Sequence, residues 1–195
     1  MSERKRILIL LGHPDPGEDT YNAALARAYR DGARAAGHDA EMIRVGELDF
    51  PILRTKKEFQ EGAVPPALEE AQAAVGRADH VVVLFPVWGG TMPAYLKAFL
   101  EQVWRPGFAM DSSGRFPKGK LKGKSARVIA TMGMPALAYR LLFGGHGVKT
   151  LTRAILGFSG FRPVRTSLIG LVESGTAEHR DRWLRRMKTL GAKAI

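Results

Sequence analysis

The stretch Ile7-Leu8-Ile9-Leu10-Leu11, which Gly12 ends, decides the fold class of this chain. It is apolar at every position and lacks the alternation of a strand that faces water on one side. Such a run is typical of a strand buried on both faces, as in a parallel sheet covered by helices. The run His80-Val81-Val82-Val83-Leu84-Phe85 has the same character. Together the two runs predict a parallel sheet at the centre of an α/β protein.

Helical and strand-like segments alternate along the rest of the chain. Helices are predicted at 21–36, from 65 or 66 to 77, at 93–104, after 135 with a break at 144–145, and at 177–190. Further strands are predicted at 41–45, at 126–131 and within 161–171. This order predicts a flavodoxin-like fold, a five-stranded parallel sheet of order 2-1-3-4-5 with helices on both faces. We expect residues 46–64 to be irregular and residues 105–124 to leave the core. The 195 residues fit a single domain, 1–195.

Composition limits the possible functions. The chain has no cysteine, which excludes thiol catalysis, cysteine-bound zinc and iron–sulfur clusters. No metal-binding motif is present, so no metal site is predicted. The formal net charge of +11 favours attraction to anions, although a solvated basic surface accounts for it as well. No motif predicts a nucleic-acid partner. No apolar segment approaches about 18 residues, so we expect neither a signal peptide nor a transmembrane segment. We therefore expect a cytoplasmic protein.

Three loops are expected to form the functional site. Folds of this kind bind ligands beyond the carboxyl ends of the strands, which places residues 12–22, 86–92 and 131–139 together. In the first loop, phosphate binding is predicted for residues near the start of the following helix: His13, Asp19, Thr20, Tyr21 and Asn22. Asp19 or Thr20 can also serve as the helix N-cap, and the two roles are compatible. The glycine-rich motifs that bind dinucleotides or ATP are absent.

Two motifs resemble the flavodoxin-like NAD(P)H:quinone oxidoreductase family, the DT-diaphorase-like NAD(P)H dehydrogenases (quinone). His13-Pro14 followed by Thr20-Tyr21-Asn22 is similar to the family's His-Pro or His-Ser pair and Ser-Phe-Asn triplet. The longer and more specific match is the segment 85–109, FPVWGGTMPAYLKAFLEQVWRPGFA. The resemblance extends from about residue 6 to 170. It implies a flavin cofactor and a homodimer with the active site at the subunit interface.

The second loop suits the flavin ring that this resemblance implies. The predicted contacts are Pro86, Val87, Trp88, Gly89 and Gly90. A flavin ring is flat and apolar with polar edges, so it needs nearby backbone donors and an apolar wall. Trp88 can supply the wall, unless it is a core or interface residue, and the two glycines permit close approach. The family often has an aromatic residue where Gly89 or Gly90 stands.

The third loop supplies the predicted catalytic residues. By resemblance, the N–H groups of Thr131, Met132 and Gly133 contact the pyrimidine edge of the flavin. Some family members place a Tyr and a His at the positions of Tyr139 and His146, to stabilise charge on the reduced flavin. The alternatives are a packing role for Tyr139 and a surface or interface role for His146.

The resemblance implies a flavin-dependent NAD(P)H oxidoreductase that works by a two-electron ping-pong reaction. A hydride from NADH or NADPH passes through flavin N5 to a quinone or similar small-molecule acceptor. FMN is favoured because the chain lacks the C-terminal extension of longer FAD-containing relatives, and FAD is the alternative.

Two other functions stay open at the level of sequence. A flavodoxin-type electron carrier has this fold, although such carriers are typically acidic and use a Thr- and Ser-rich phosphate loop. An ancillary regulatory reductase subunit of a membrane transporter is the second alternative, since some relatives attach to transport proteins.

Overall fold

A parallel sheet forms the centre of the molecule, which is known from a computed structural model that describes residues 3–17, 19–111 and 117–195. Its strands and those of a small hairpin are, in chain order, β1 (Arg6–Leu11), β2 (Asp39–Arg44), β3 (His80–Pro86), β4 (Met110–Asp111), β5 (Lys118–Gly119), β6 (Ser125–Thr131) and β7 (Val164–Ile169). The sheet order is β2-β1-β3-β6-β7, and β4 pairs with β5 apart from it. The flavodoxin-like fold and its strand order are thereby confirmed.

Helices cover both faces of the sheet. They are α1 (Tyr21–Ala35), α2 (Lys56–Glu61), α3 (Pro66–Arg77), α4 (Ala94–Val103), α5 (Ala136–Leu142), α6 (His146–Lys149), a π-helical segment (Thr150–Gly157) and α7 (Ala177–Ala192). Leu25 of α1 and Met187 of α7 are buried on one face, and Leu68 of α3 and Phe99 of α4 on the other. In the part of the chain that the structure describes, no helix combines the length and apolarity needed to cross a membrane.

The register of the strands brings their carboxyl ends to one edge. Leu11 pairs with Leu84, and Thr131 lies between Pro86 and Ile169 in the ladder. The apolar run of β1 from Ile7 to Leu11 is buried, since α1 and α7 cover one side and α3 and α4 the other. The loops that leave β1, β3 and β6 therefore start at the same edge.

Residues 46–64 are not irregular throughout, which corrects the prediction. Helix α2 lies there and begins with a capping box: Glu58 N–H donates to Thr55 Oγ1 at 3.1 Å, and the Thr55 N–H donates to the Glu58 carboxylate at 3.3 Å. The spacing Thr-x-x-Glu is visible in the sequence and predicts this helix start. In the segment 105–124, the hairpin β4–β5 lies outside the main sheet, while residues 112–116 are outside the described residues.

Candidate active site

The three predicted loops meet at the carboxyl edge of the sheet. The N–H of Val87 in the second loop donates to the Thr131 carbonyl at 2.7 Å. Asn22 Nδ2 donates to Thr131 Oγ1 at 3.0 Å, which joins the first loop to the third. The rings of His13 and Trp88 lie edge to face with 6.0 Å between centroids, which joins the first loop to the second. The predicted site residues of different loops are thus neighbours.

The first loop ends in a helix start. Thr20 is the N-cap of α1, since its Oγ1 accepts from the Ala23 N–H at 3.2 Å. The N–H groups of Tyr21 and Asn22 lie in the first turn, where no intrahelical acceptor is available. Asn22 is buried and its amide is engaged with Thr131, while Asp19 is exposed. Glu18 lies outside the described residues.

A fourth loop, which the sequence did not indicate, completes the edge. It connects β7 to α7, and Leu171 N–H donates to the Met134 carbonyl at 3.2 Å. The Tyr21 hydroxyl donates to the Arg180 carbonyl at 3.1 Å, and Arg180 Nη1 donates to the Gly175 carbonyl at 2.7 Å. Partial burial raises the pKa of Tyr21 to about 12, although the nearby Arg180 charge acts in the opposite direction. Arg180, near the start of α7 directly after this loop, therefore places a cation beside the predicted phosphate end of the site.

Arg44 holds the first loop in place from the end of β2. Its guanidinium donates to the carbonyls of Pro16 and of Gly17, the latter at 3.2 Å, and pairs with Glu47 at 2.5 Å. A cation at the carboxyl end of a strand is close to the ligand edge in such folds. The position of Arg44 at the end of β2 could therefore have indicated from the sequence that it belongs to the site.

The second loop contains a tight turn. Trp88 N–H donates to the Thr91 carbonyl at 2.9 Å, and Thr91 N–H donates back to the Trp88 carbonyl at 3.1 Å. Gly89 and Gly90 have φ of 56° and 82°. Positive φ at both central positions defines a type I′ turn, which glycine adopts at little cost. Trp88 is 52% exposed, so it is not a core residue.

Tyr139 connects the second and third loops. Its side chain is fully buried, and its hydroxyl donates to the Gly90 carbonyl at 3.1 Å and accepts from the Val148 N–H at 3.2 Å. His146 is exposed at the start of α6, and the hydrogen bonds of the Tyr139 hydroxyl go to backbone groups. The two predicted catalytic residues therefore have different surroundings.

The remaining predicted residues line the ends of β3 and β6. Pro86, Thr131 and Met132 are buried, and Val87 is partly buried. Gly133 is exposed, and a Cβ at that position would lie 3.7 Å from a carboxylate oxygen of Glu173 in the fourth loop. The backbone of Met132 is engaged within the protein: its N–H donates to the Ile169 carbonyl at 2.9 Å, and its carbonyl accepts from the Val172 N–H at 3.2 Å.

Comparison with known proteins agrees with this geometry. A family model described as a flavodoxin-like fold matches residues 5–190. The ribosyldihydronicotinamide dehydrogenase [quinone] of Pongo abelii is 24% identical, over 95% of this chain and 92% of that protein. An FMN-dependent NADH:quinone oxidoreductase of Ruegeria pomeroyi is 29% identical, over 66% of this chain and 71% of that protein. The structure of an NAD(P)H:quinone oxidoreductase from Methanothermobacter marburgensis shares the fold with a TM-score of 0.83 at 20% identity, covering 99% of this chain and 100% of that one. These matches confirm the resemblance that the loop motifs predicted.

Proposed function

Since this chain belongs to the flavodoxin-like fold family, we propose that it is a flavin-dependent NAD(P)H oxidoreductase that transfers two electrons to a quinone-like acceptor. The observation that carries the proposal is the meeting of the three loops, through the Asn22–Thr131 and Val87–Thr131 hydrogen bonds, at the edge where such folds bind ligands. Quinone oxidoreductases among its relatives support the reaction class.

The residues present fit a flavin in both shape and donor set. The start of α1 offers the Tyr21 and Asn22 N–H groups and the Thr20 hydroxyl to a phosphate. A Cβ built on Gly89 would meet no atom within 4 Å, so a flat ring can approach the backbone of the turn. The exposed Trp88 ring stands beside this open space and offers an apolar wall.

We propose FMN as the resident flavin, with FAD as the alternative. The relative from Ruegeria pomeroyi is FMN-dependent by name, which supports this choice. NADH or NADPH is the electron donor, and neither is favoured by a feature of the described loops. The proposal of FMN therefore rests on the relatives.

A bound flavin supplies reversible two-electron chemistry, so that NAD(P)H, one proton and a quinone become NAD(P)⁺ and a hydroquinone. The chain's own residues bind the flavin and orient the loops around it. Asn22 and Thr131 lock the first loop to the third, and Tyr139 holds the carbonyl of Gly90. His146 is exposed and its imidazole carries an N–H group, so it is the candidate donor toward negative charge that develops in the reaction. Tyr139 is the candidate positioning residue.

The apolar surface near this site supports a homodimer. Leu137, Leu141 and Leu142 of α5 are exposed, the last two by 73% and 79%. Large contiguous apolar patches on a protein surface mark sites of protein–protein contact. We propose that a second copy covers α5 and completes the site.

Cysteine is absent from the sequence, which fits a reducing compartment, and we propose the cytoplasm as the location.

An electron carrier would require a separate reductase, whereas the enzyme oxidises NAD(P)H alone. A transporter subunit would be recovered with a membrane fraction and retain that activity.

The direct test is a visible absorbance spectrum of the purified protein before and after NADH or NADPH is added. A flavin spectrum that bleaches with the nucleotide alone is the expected result, and chromatography of the released cofactor distinguishes FMN from FAD. A protein that stays colourless after incubation with both flavins would refute the proposed function while leaving the fold intact.

A further inference from the structure

The fourth loop, which follows β7, is attached to the third loop on both sides of Gly133. The Val172 N–H donates to the Met132 carbonyl at 3.2 Å, and the Leu171 N–H donates to the Met134 carbonyl at 3.2 Å. The backbone of Leu171 has φ of 57°, a left-handed conformation that a leucine rarely adopts. Such a conformation persists where the surrounding contacts determine it. The fourth loop is therefore held in place against the ligand edge.

The side chain of Glu173 in this loop lies beside Gly133. Its two carboxylate oxygens are 3.7 and 3.9 Å from the position that a Cβ on Gly133 would take. In the part of the chain that the structure describes, no hydrogen bond or ion pair engages this carboxylate. A carboxylate carries a negative charge at neutral pH. Glu173 therefore presents an unpaired negative charge next to the third loop.

Gly133 is the residue through which this charge is brought near a ligand. The Met132 N–H donates to the Ile169 carbonyl at 2.9 Å, whereas the Gly133 N–H has no acceptor among the residues that the structure describes. Gly133 is also exposed. The sequence resemblance predicts that this N–H contacts the pyrimidine edge of the flavin. A flavin bound in this way would have the Glu173 carboxylate as a neighbour of that edge.

A carboxylate at this place acts differently on the oxidised and the reduced flavin. The oxidised ring is neutral, and a hydride brings it two electrons and one proton, hence one additional negative charge. Like charges repel each other, and they do so more strongly near a protein surface than in bulk water. The carboxylate therefore disfavours the reduced form relative to the oxidised form, which lowers the reduction potential.

We infer that Glu173 sets the reduction potential of the bound flavin and keeps it below the value that the flavin would have without this charge. The inference rests on the proposed function and deepens it, because it names a residue that controls how readily the flavin is reduced. A lower potential makes the reduced flavin a stronger donor to the acceptor. The effect is electrostatic and requires no contact between Glu173 and the acceptor.

The test measures the midpoint potential of protein-bound FMN at neutral pH, by slow reduction with xanthine and xanthine oxidase in the presence of a reference dye. The parent is compared with Glu173→Gln, which removes the charge and keeps the size of the side chain, and with Glu173→Asp, which keeps the charge. Asp31→Asn is the matched control, since it removes an exposed carboxylate of α1 that lies about 15 Å along the helix from its start at the ligand edge. The dissociation constants of oxidised and reduced FMN are measured for the same four proteins.

Glu173→Gln is expected to tighten the binding of reduced FMN relative to oxidised FMN by about 2- to 5-fold, the range for a single exposed charge. For a two-electron couple, this ratio corresponds to a rise of about 10 to 20 mV in the midpoint potential. The difference between the parent and the variant should shrink in about 1 M KCl, because salt screens an exposed charge. Glu173→Asp and Asp31→Asn should keep the parent potential.

Equal potentials in the parent and in Glu173→Gln overturn the inference. A rise that Glu173→Asp shares, or that salt does not reduce, assigns Glu173 to the packing of the loop and also overturns it. An equal rise in Asp31→Asn overturns it as well, since the net charge of the protein would then be the cause.

Failure of the inference and failure of the proposed function are distinguishable. A parent protein that takes up neither FMN nor FAD refutes the proposed function and the inference with it. A parent that binds FMN and is reduced by NADH or NADPH, with the same potential as Glu173→Gln, refutes the inference alone.

Discussion

Replacing Tyr139 by Phe removes one hydroxyl that connects two loops of the candidate site. The Gly90 carbonyl and the Val148 N–H both lose a hydrogen-bond partner, and Val148 is buried. A net contribution of about 0.5 to 1.5 kcal/mol for each bond gives a loss of about 2 kcal/mol in the free energy of unfolding. For a domain of this size, each kcal/mol lowers Tm by about 2 to 4 °C. We therefore expect Tm to fall by about 4 to 8 °C.

The same change should slow reduction by NAD(P)H, because the Gly90 carbonyl is no longer held. The flavin should remain bound, since the residues at the start of α1 are untouched. Thermal unfolding followed by circular dichroism and stopped-flow reduction measure the two effects on the same sample. Tyr29→Phe is the matched control: Tyr29 is also buried, its hydroxyl donates to the Ile195 backbone oxygen at 3.3 Å, and it lies outside the loops of the site. That variant should lose some stability and keep the parent reduction rate.

Two results would refute this reasoning about Tyr139. If Tm of Tyr139→Phe equals that of the parent, the hydroxyl does not stabilise the contact between the loops. If the reduction rate falls while Tm stays constant, the hydroxyl acts directly on the cofactor, and its role is catalytic instead of positional.

Three further perturbations test other parts of the structure. Asn22→Ala removes the hydrogen bonds to Thr131. We therefore expect Tm to fall by about 2 to 4 °C and the flavin content after gel filtration to decrease. Unchanged values would contradict the proposal that Asn22 joins the first loop to the third. Burial lowers the pKa of His80 to about 3, so the folded state binds fewer protons than the unfolded state below pH 6.5. The free energy of unfolding should then decrease by up to about 1.4 kcal/mol per pH unit as pH falls from 6.5 toward 3. In urea titrations at several pH values, His80→Gln should reduce this dependence on pH. Equal slopes in the parent and the variant would show that His80 is not the cause. Leu141→Ser combined with Leu142→Ser should convert a dimer to a monomer in light scattering, and a dimer that persists would place the interface elsewhere.

Several parts of the site could be predicted because they depend on local chemistry. Thr20 precedes a helical segment, and a Thr there caps the helix whatever surrounds it. The run from Ile7 to Leu11 predicts a strand buried on both faces, and its end marks the loop that carries His13. The Thr55–Glu58 capping box is equally local, so α2 could have been predicted from it, although residues 46–64 were expected to be irregular.

Other parts could not be predicted because they join residues far apart in the chain. Arg180 is 159 positions from Tyr21, and no local pattern links a basic residue near the start of α7 to the first loop. The glycine pair of the second loop shows that a tight turn is possible, but not that Phe143 packs beside it.

By itself, the sequence determined the parallel sheet, the strand order and the three loops of the ligand edge, because apolar runs and their spacing act through burial and chain connectivity. Only the tertiary structure decided what each side chain does at that edge. It engaged Asn22 with Thr131, turned the Tyr139 hydroxyl toward backbone groups and brought Phe143 to Gly90. Hydrogen bonds and ring contacts act over only a few ångströms, so they depend on how separate segments pack.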